Sequence, residues 1–458
     1  MAGPLTRRRG VLALAAALGL SLIAVIAPGL AHGGATGRKQ AANPTNPLAG
    51  HRQFLNCETL TSPNQGFNPW LRVHQATGKT RAALLRLAHV PTVWSFAGTS
   101  ERDIGKRMER YMAEVDHPAI GGSDCSAPLS YSDREWEKPV PADDPRRAYI
   151  GEYPILAIRS LDYASCKGGV GNTGTDYRAF IDSFTKELGR TWSEPFPYGP
   201  DPKHHGYSDK RRPPDAYFRP YPQRAAAIIL EPDFLALVGN GKGCVSPRAA
   251  RTSVGLISYA VKTLTTLPNV AVYIDAGEDN WLGVRQAVSL LKRAGVAGAR
   301  GFVLNATHTG WTKDNIRYGD EIARKLHRHY VINTAENAHG KLPRKYWFGP
   351  HCAKLPYGPP GYKGKRVAVC GDGHAASNKG GQNTNCNPPN AGLGAIPTTR
   401  TASKWADAYL YISRPGISSN AGNRCMRGPA RNVWWTAQAV NEAERAVPRT
   451  APWPPKPL

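Results

Sequence analysis

Short apolar runs separated by helical stretches recur along most of this chain, and that alternation limits the folds open to it. The runs are Pro91–Phe96, Tyr153–Ile158, Ala226–Leu230, Ala271–Ile274, Gly301–Leu304, Tyr330–Ile332 and Ala408–Ile412. They are rich in Val, Ile and aromatics and are apolar throughout rather than at every second residue. Strands buried on both faces read this way. Helical spacing fills most of the gaps, over Thr80–Leu87, Asp176–Leu188, Ala249–Leu264, Val284–Arg293 and Asp314–His327. In Val284–Arg293, for example, Val284, Ala287, Val288 and Leu291 share one face while Arg285, Gln286, Lys292 and Arg293 stay in water. Buried strands alternating with helices predict an α/β fold on a parallel sheet. Seven such runs predict a closed or nearly closed, TIM-like β/α barrel, with a doubly wound open sheet as the alternative that periodicity leaves standing.

The two ends of the chain read differently. Arg7, Arg8 and Arg9 precede an apolar stretch, Val11–Ile26, followed by Pro28 and small residues at Gly29 and Ala31. This is a signal-peptide layout over residues 1–31, and Thr6–Leu12 also resembles a twin-arginine signal. The stretch barely reaches spanning length, which weighs against an uncleaved membrane anchor. Residues 32–45 read as a flexible linker, and residues 447–458, with five prolines from Pro448 to Pro457, as an extended tail. One domain over 46–446 remains, and hydrophobic residues at 41% suffice for a large core. The expected product is extracellular, monomeric and free of the membrane after signal cleavage.

Cysteine usage agrees with export. Cys57, Cys125, Cys166, Cys244, Cys352, Cys370, Cys386 and Cys425 all lie beyond the signal, and an even count in an exported chain predicts disulfides. No Cys-x-x-Cys pair occurs, so no metal and no cofactor are expected.

In α/β barrels the chemistry sits at the carboxyl ends of the strands. Here those ends carry polar residues: Arg159 and Asp162, Glu231 and Asp233, Asp275, Asn305, Asn333 and Thr334, then Arg414. The first run contains Trp94. One such residue is an ordinary loop group; a series at equivalent positions describes a polar cleft. Asp233 stands out, because the buried run Ile228–Leu230 delivers it into a turn. A carboxyl near other carboxylates and partly desolvated can keep its proton and act as a general acid. Carboxyls flanking a cleft lined by Trp and Asn suit glycosidic bond hydrolysis.

Here the sequence resembles glycoside hydrolase family six, the secreted cellulases and cellobiohydrolases. The matching stretches are Asn46-Pro47, Ile229–Asp233, Val272–Gly277 with Trp281–Gly283, Gly301–Asn305, Ile332–Thr334, Cys386–Pro389, and Asp407–Ile412 with Arg414–Gly416, all in the family's order. The resemblance implies a distorted seven-stranded barrel that cleaves β-1,4-glucan with inversion. It implies Asp233 as catalytic acid and Asp162 as a second aspartate supporting it. Trp94 and Trp281 take sugar-stacking positions, Asp275 and Asn305 hydrogen-bonding positions, and Arg414 stands where the family has a substrate-binding lysine. The family's disulfides map to Cys166–Cys244 and Cys386–Cys425; nearness in sequence adds Cys57–Cys125 and Cys352–Cys370.

The departures cluster where the chemistry is expected. The family's Arg-Asp-Cys is Leu161-Asp162-Tyr163 here, an active-site tyrosine falls on Leu156, and a histidine is replaced by Glu278. After Arg414–Gly416, where the family carries its proposed general base, the chain reads Ile417–Asn420, and no carboxylate side chain occurs between Asp407 and Glu442. An inverting enzyme needs a group to take the water's proton, and its loss typically slows reaction ~10²–10⁴-fold. The remaining routes are Asp162 through a water chain, Glu278, or a protein that binds glycan without cleaving it.

Net charge bears on the ligand. Lys plus Arg number 59 against 34 acidic residues, a balance of +25. Two insertions lengthen the domain, about Ile120–Tyr149 and Lys341–Asn385, and no acidic residue occurs from Asn337 to Gly371. A basic, aromatic loop beside the cleft predicts a β-glucan or an anionic cell-wall polysaccharide as partner. Single-stranded nucleic acid is also served by such patches, but no nucleic-acid module is recognisable, so none is expected as a partner.

Overall fold

The computed structural model describes residues 46–49, 53, 76–88, 93–96, 104–105, 108, 154–161, 174–189, 226–240, 246–279, 281–340, 352–355, 367–370, 387–388, 391–418, 429–430 and 433–446. All belong to one compact unit, Lys39–Leu458. The predicted signal peptide, linker and tail lie outside the described residues, as do Cys57, Cys125, Cys166, Cys244, Cys386 and Cys425.

Parallel strands run in chain order across the main sheet. They are β1 (Trp94–Ser95), β2 (Ile155–Ile158), β3 (Ala226–Leu230), β4 (Val270–Asp275), β5 (Gly301–Leu304), β6 (His329–Asn333) and β9 (Ala406–Leu410). Each pairs with the next in parallel register. A doubly wound sheet reverses its order at a switch point. None occurs here, so the strands wind in one direction, as in a barrel. Among the described residues β1, only two residues long, and β9 do not pair, and the described sheet is therefore an incomplete barrel rather than a closed cylinder.

Burial on both faces explains the continuous apolar runs. On one face Leu156, Ile158, Ile228, Leu230, Val272, Ile274, Phe302 and Ile332 meet the helices. Those helices are α2 (Gly174–Leu188), α4 (Pro247–Leu264), α5 (Val284–Arg293) and α6 (Thr312–Leu326). On the other face Ile155, Ala157, Ala227, Ile229, Ala271, Tyr273, Val303, Ala408 and Leu410 form an inner core. Its many alanines let the strands curve toward one another. Each buried Leu, Ile or Phe contributes about 1.5–3 kcal/mol through its removal from water. In α5, Ala287, Val288 and Leu291 are buried and Arg285, Gln286, Lys292 and Arg293 exposed, as the spacing predicts. Ser246 caps α4, its hydroxyl accepting from the Ala249 N–H at 3.1 Å, with Pro247 at the first helical position.

The helix expected over Thr80–Leu87 is present, and three features add to the sequence expectation. Helix α1 (Gly78–Ala88) packs on α7 (Thr436–Glu444) through Leu84, Leu87, Ala439 and Ala443, with Trp434 beside them. Within the second insertion β7 (Cys352–Leu355) and β8 (Val367–Cys370) form an antiparallel pair whose register sets Cys352 opposite Cys370. Finally, the β6–β9 register slips at Tyr330 and Val331, leaving Asp407 as a bulge. Its carboxylate is held by Arg300 at 2.7 and 2.8 Å and by the Tyr273 hydroxyl at 2.8 Å.

Candidate active site

The β2 and β3 exits are joined by a buried carboxylate. The ladder continues one residue past β3, the Glu231 N–H donating to the Ile158 carbonyl at 2.8 Å. Glu231 then turns into the left-handed region at φ 52° and Asp233 follows at φ 72°. Non-glycine residues enter this region at a cost of order 1–3 kcal/mol, so other contacts must hold them there. For Glu231 these are the backbone N–H groups of Ser160, at 3.1 and 3.2 Å, and Leu161, at 3.0 Å. For Asp233 the holding contact is Asp275, whose Oδ1 accepts from the Asp233 N–H at 3.0 Å and from the Gly277 N–H at 2.9 Å.

Around the Asp233 carboxylate three side chains converge. The Arg159 guanidinium lies 3.2 Å from Oδ2, at the β2 exit. From the β5 exit the Thr307 hydroxyl donates to Oδ1, and His308 Nδ1 stands 3.7 Å from the same oxygen. His308 in turn meets the Trp281 ring edge-on, with centroids 4.7 Å apart. Asp233 is at the surface of this cluster, its side chain 13% exposed, between the 24% of Arg159 and the 23% of His308. A carboxyl that has, among the described residues, a guanidinium neighbour, a hydroxyl donor and an opening to solvent can exchange a proton with a bound molecule.

Two predicted glycan-binding residues lie deeper. Asp275 is buried, and its Oδ2 has no hydrogen-bond partner among the described residues. Burial first, and then the charge of Asp233, push its carboxyl well above the ordinary range, against the opposing Gly277 and Asp233 N–H groups and Arg159. Asn305, at φ 63°, is fully buried and spends its amide on the protein: Nδ2 donates to the Asn333 carbonyl at 2.9 Å and Oδ1 accepts from the Gly310 N–H at 2.8 Å. Asn333 returns the bond to the Asn305 carbonyl at 2.9 Å and reaches Ser413 Oγ at 3.0 Å. These amides lace the exits of β5, β6 and β9 into a floor. Both side chains are buried, Asp275 at 1% and Asn305 at 0% exposure.

Arg414 is half-buried beyond β9, and its charge acts on Glu336 beyond β6. Burial raises the Glu336 carboxyl, opposed by the Ser413 hydroxyl, Arg414 and a bond to Glu442. Trp94 lies in β1 with its side chain outside the described residues, and Asp162 is wholly outside them, immediately after Leu161. No cluster of His, Cys, Asp and Glu suited to a metal occurs among the described residues. Arg159, Thr307 and His308 are the neighbours of Asp233 that sequence reasoning did not single out as site residues; a search two and three positions past the Asn305 strand end finds the last two.

Known proteins resemble the chain in sequence and in fold. The chain is 31% identical to endoglucanase A of Cellulomonas fimi over 220 residues, 48% of this chain and 38% of that protein. It is 24% identical to endoglucanase A of Thermobispora bispora over 311 residues, 66% of this chain and 50% of that one. The chain thus spans half or less of the length of these two relatives. Among solved structures, the endoglucanase Cel6 of Mycobacterium tuberculosis, in complex with a methyl-cellobiosyl thio-cellobioside, superposes with a TM-score of 0.56 at 26% identity, covering 88% of this chain and 99% of that one. The family profile of glycosyl hydrolases family 6 matches residues 214–444, half of the chain and every strand exit from β3 to β9. The chain belongs to glycosyl hydrolases family 6.

Proposed function

We propose that the chain is an exported glycoside hydrolase that cleaves β-1,4-glucan with inversion, with Asp233 as general acid. The observation that carries this reading is the delivery of Asp233 by β3 into a cluster of Arg159, Thr307 and His308, beside Trp281, in a family 6 chain. A general acid gives its proton to the leaving oxygen and becomes a carboxylate. Arg159 and the Thr307 hydroxyl are placed to stabilise the charge left behind. Trp281 and Trp94 stack sugar rings on either side of the scissile bond, Arg414 binds a hydroxyl, and Asp162 supports the acid. The buried Asp275 and Asn305 set the floor on which these groups stand. The mature protein is a disulfide-braced, extracellular monomer whose seven strands form the family's distorted barrel.

Water attacks from the opposite face of the ring in an inverting reaction, and a base must take its proton. Asp162, through a water chain, and Glu278, buried beyond β4, are the groups for this step. A second reading, a glycan-binding protein that does not cleave, draws on the absence of any acidic residue between Asp407 and Glu442. The basic Asn337–Gly371 stretch favours an anionic cell-wall polysaccharide as its ligand.

Reducing-sugar release from a soluble β-glucan by the wild type and by Asp233→Asn tests the proposal. Loss of ~10²-fold or more in the variant is expected. Equal release by both proteins removes Asp233 from the mechanism, and binding without release by the wild type selects the second reading.

A further inference from the structure

We propose that Glu231 is the positioning residue that ties the β2 exit, at Ser160 and Leu161, to the turn bearing Asp233, so that hydrolysis depends on a carboxylate the sugar never meets. This rests on the hydrolase reading above. Glu231 is 1% exposed, so it cannot touch a glycan. It precedes Asp233 by two residues in the chain, and its carboxylate accepts the N–H of Leu161, the residue immediately before Asp162. Ser160, which follows Arg159, donates to both carboxylate oxygens. One side chain therefore fixes the backbone of the β2 exit directly after Arg159, the residue that lies on Asp233.

The geometry asks for a carboxylate rather than an amide. Both oxygens act as acceptors, and a glutamine would turn its NH₂ group toward a backbone N–H. Protonation removes acceptor capacity in the same way. Burial pushes Glu231 up to about 7, against the Ser160 and Leu161 N–H groups, the Tyr177 hydroxyl and the charge of Arg159. Among the described residues, the charged and titratable groups that act on it are Tyr177 from α2 and Arg159 from the β2 exit. The tie is thus held in its ionised form above neutrality and loosened below it.

The experiment compares wild type with Glu231→Gln in two readouts. The first is kcat and KM on soluble β-glucan from pH 5 to 8.5. The second is backbone hydrogen exchange, read by mass spectrometry on peptides that end at and just before Leu161. Small misplacements of catalytic groups cost up to ~10²-fold in rate. The variant is expected to lose about that much in kcat with KM little changed, to lack the ionisation near pH 7 expected of the wild type, and to lose protection at Ser160 and Leu161. If the variant folds poorly, the wild type alone decides: protection at these two amides, corrected for intrinsic exchange, should rise through pH 7. Unchanged kcat despite lost protection overturns the proposal, as does lost kcat with protection intact, or flat wild-type protection. A wild type that releases no sugar overturns the hydrolase reading instead, and the exchange data then judge the tie by themselves.

Discussion

Glu231, Asp233 and Asn305 each stand in the left-handed region at the end of a strand, and each is held there by bonds from a neighbouring exit. Asparagine and aspartate tolerate that conformation; glutamate does so only under constraint. Asp233 was legible in the sequence because a buried strand followed by Glu-Pro-Asp puts a carboxyl in a turn. Arg159 was legible as a polar strand end, but its pairing with Asp233 was not, nor was that of Thr307, since the two lie 74 positions before and after it. Glu231 also carries a stability consequence. Its folded-state value of about 7 lies above the ordinary 4.5, so between those pH values the folded chain keeps a proton that the unfolded chain has released. Stability from this group therefore falls as pH rises from about 4.5 to 7, by at most about 3 kcal/mol. Denaturant unfolding at pH 5 and pH 7.5 should show that fall in the wild type and not in Glu231→Gln.

At the scale of elements, apolar runs located the strands well because strands buried on both faces leave no polar residue to blur their limits. The bulge in β9 was hidden for the opposite reason: Asp407 in an apolar run looks like an interruption, and only the register with β6 reveals the extra residue. Burial alone would raise the Asp407 carboxyl, but the Arg300 guanidinium holds it below the ordinary range. Removing one member of such a buried pair leaves the other charge uncompensated. Asp407→Asn is accordingly expected to cost about 3 kcal/mol, read as a lowered thermal midpoint. Close approach imposes a second constraint at the start of β5. A side-chain carbon at Gly301 would stand 1.7 Å from the His329 carbonyl oxygen, so Gly301→Ala must push β5 from β6. The expected loss is about 3 kcal/mol, measurable by the same melt. The β7–β8 pair and α7 escaped prediction because each is short and flanked by Pro, Gly or basic residues that read as loop.

For the whole molecule, the sequence shows the α/β class and the barrel-like succession of strands, while the way the sheet's last edge is finished is a property of the folded chain. Gln53 acts there as a substitute strand. Its Nε2 donates to the Tyr411 carbonyl at 2.5 Å and its Oε1 accepts the Tyr411 N–H at 2.9 Å. Asn46 Nδ2 donates to the Asp407 carbonyl at 2.7 Å on the same strand. Covering an edge in this way blocks edge-to-edge pairing between molecules. Gln53→Ala should lower stability by about 2 kcal/mol through the two unpaired backbone groups, and light scattering on heating should rise earlier than in the wild type.

These contacts join residues 358 and 361 positions apart. One partner of each emerges early in synthesis and the other only near its end. Until β9 is made, the early segment has nothing to hold, and the sheet keeps an open rim. Closing so long a loop favours slow, late completion of the native state. The growing chain must therefore be shielded from its own kind for almost the whole of its synthesis.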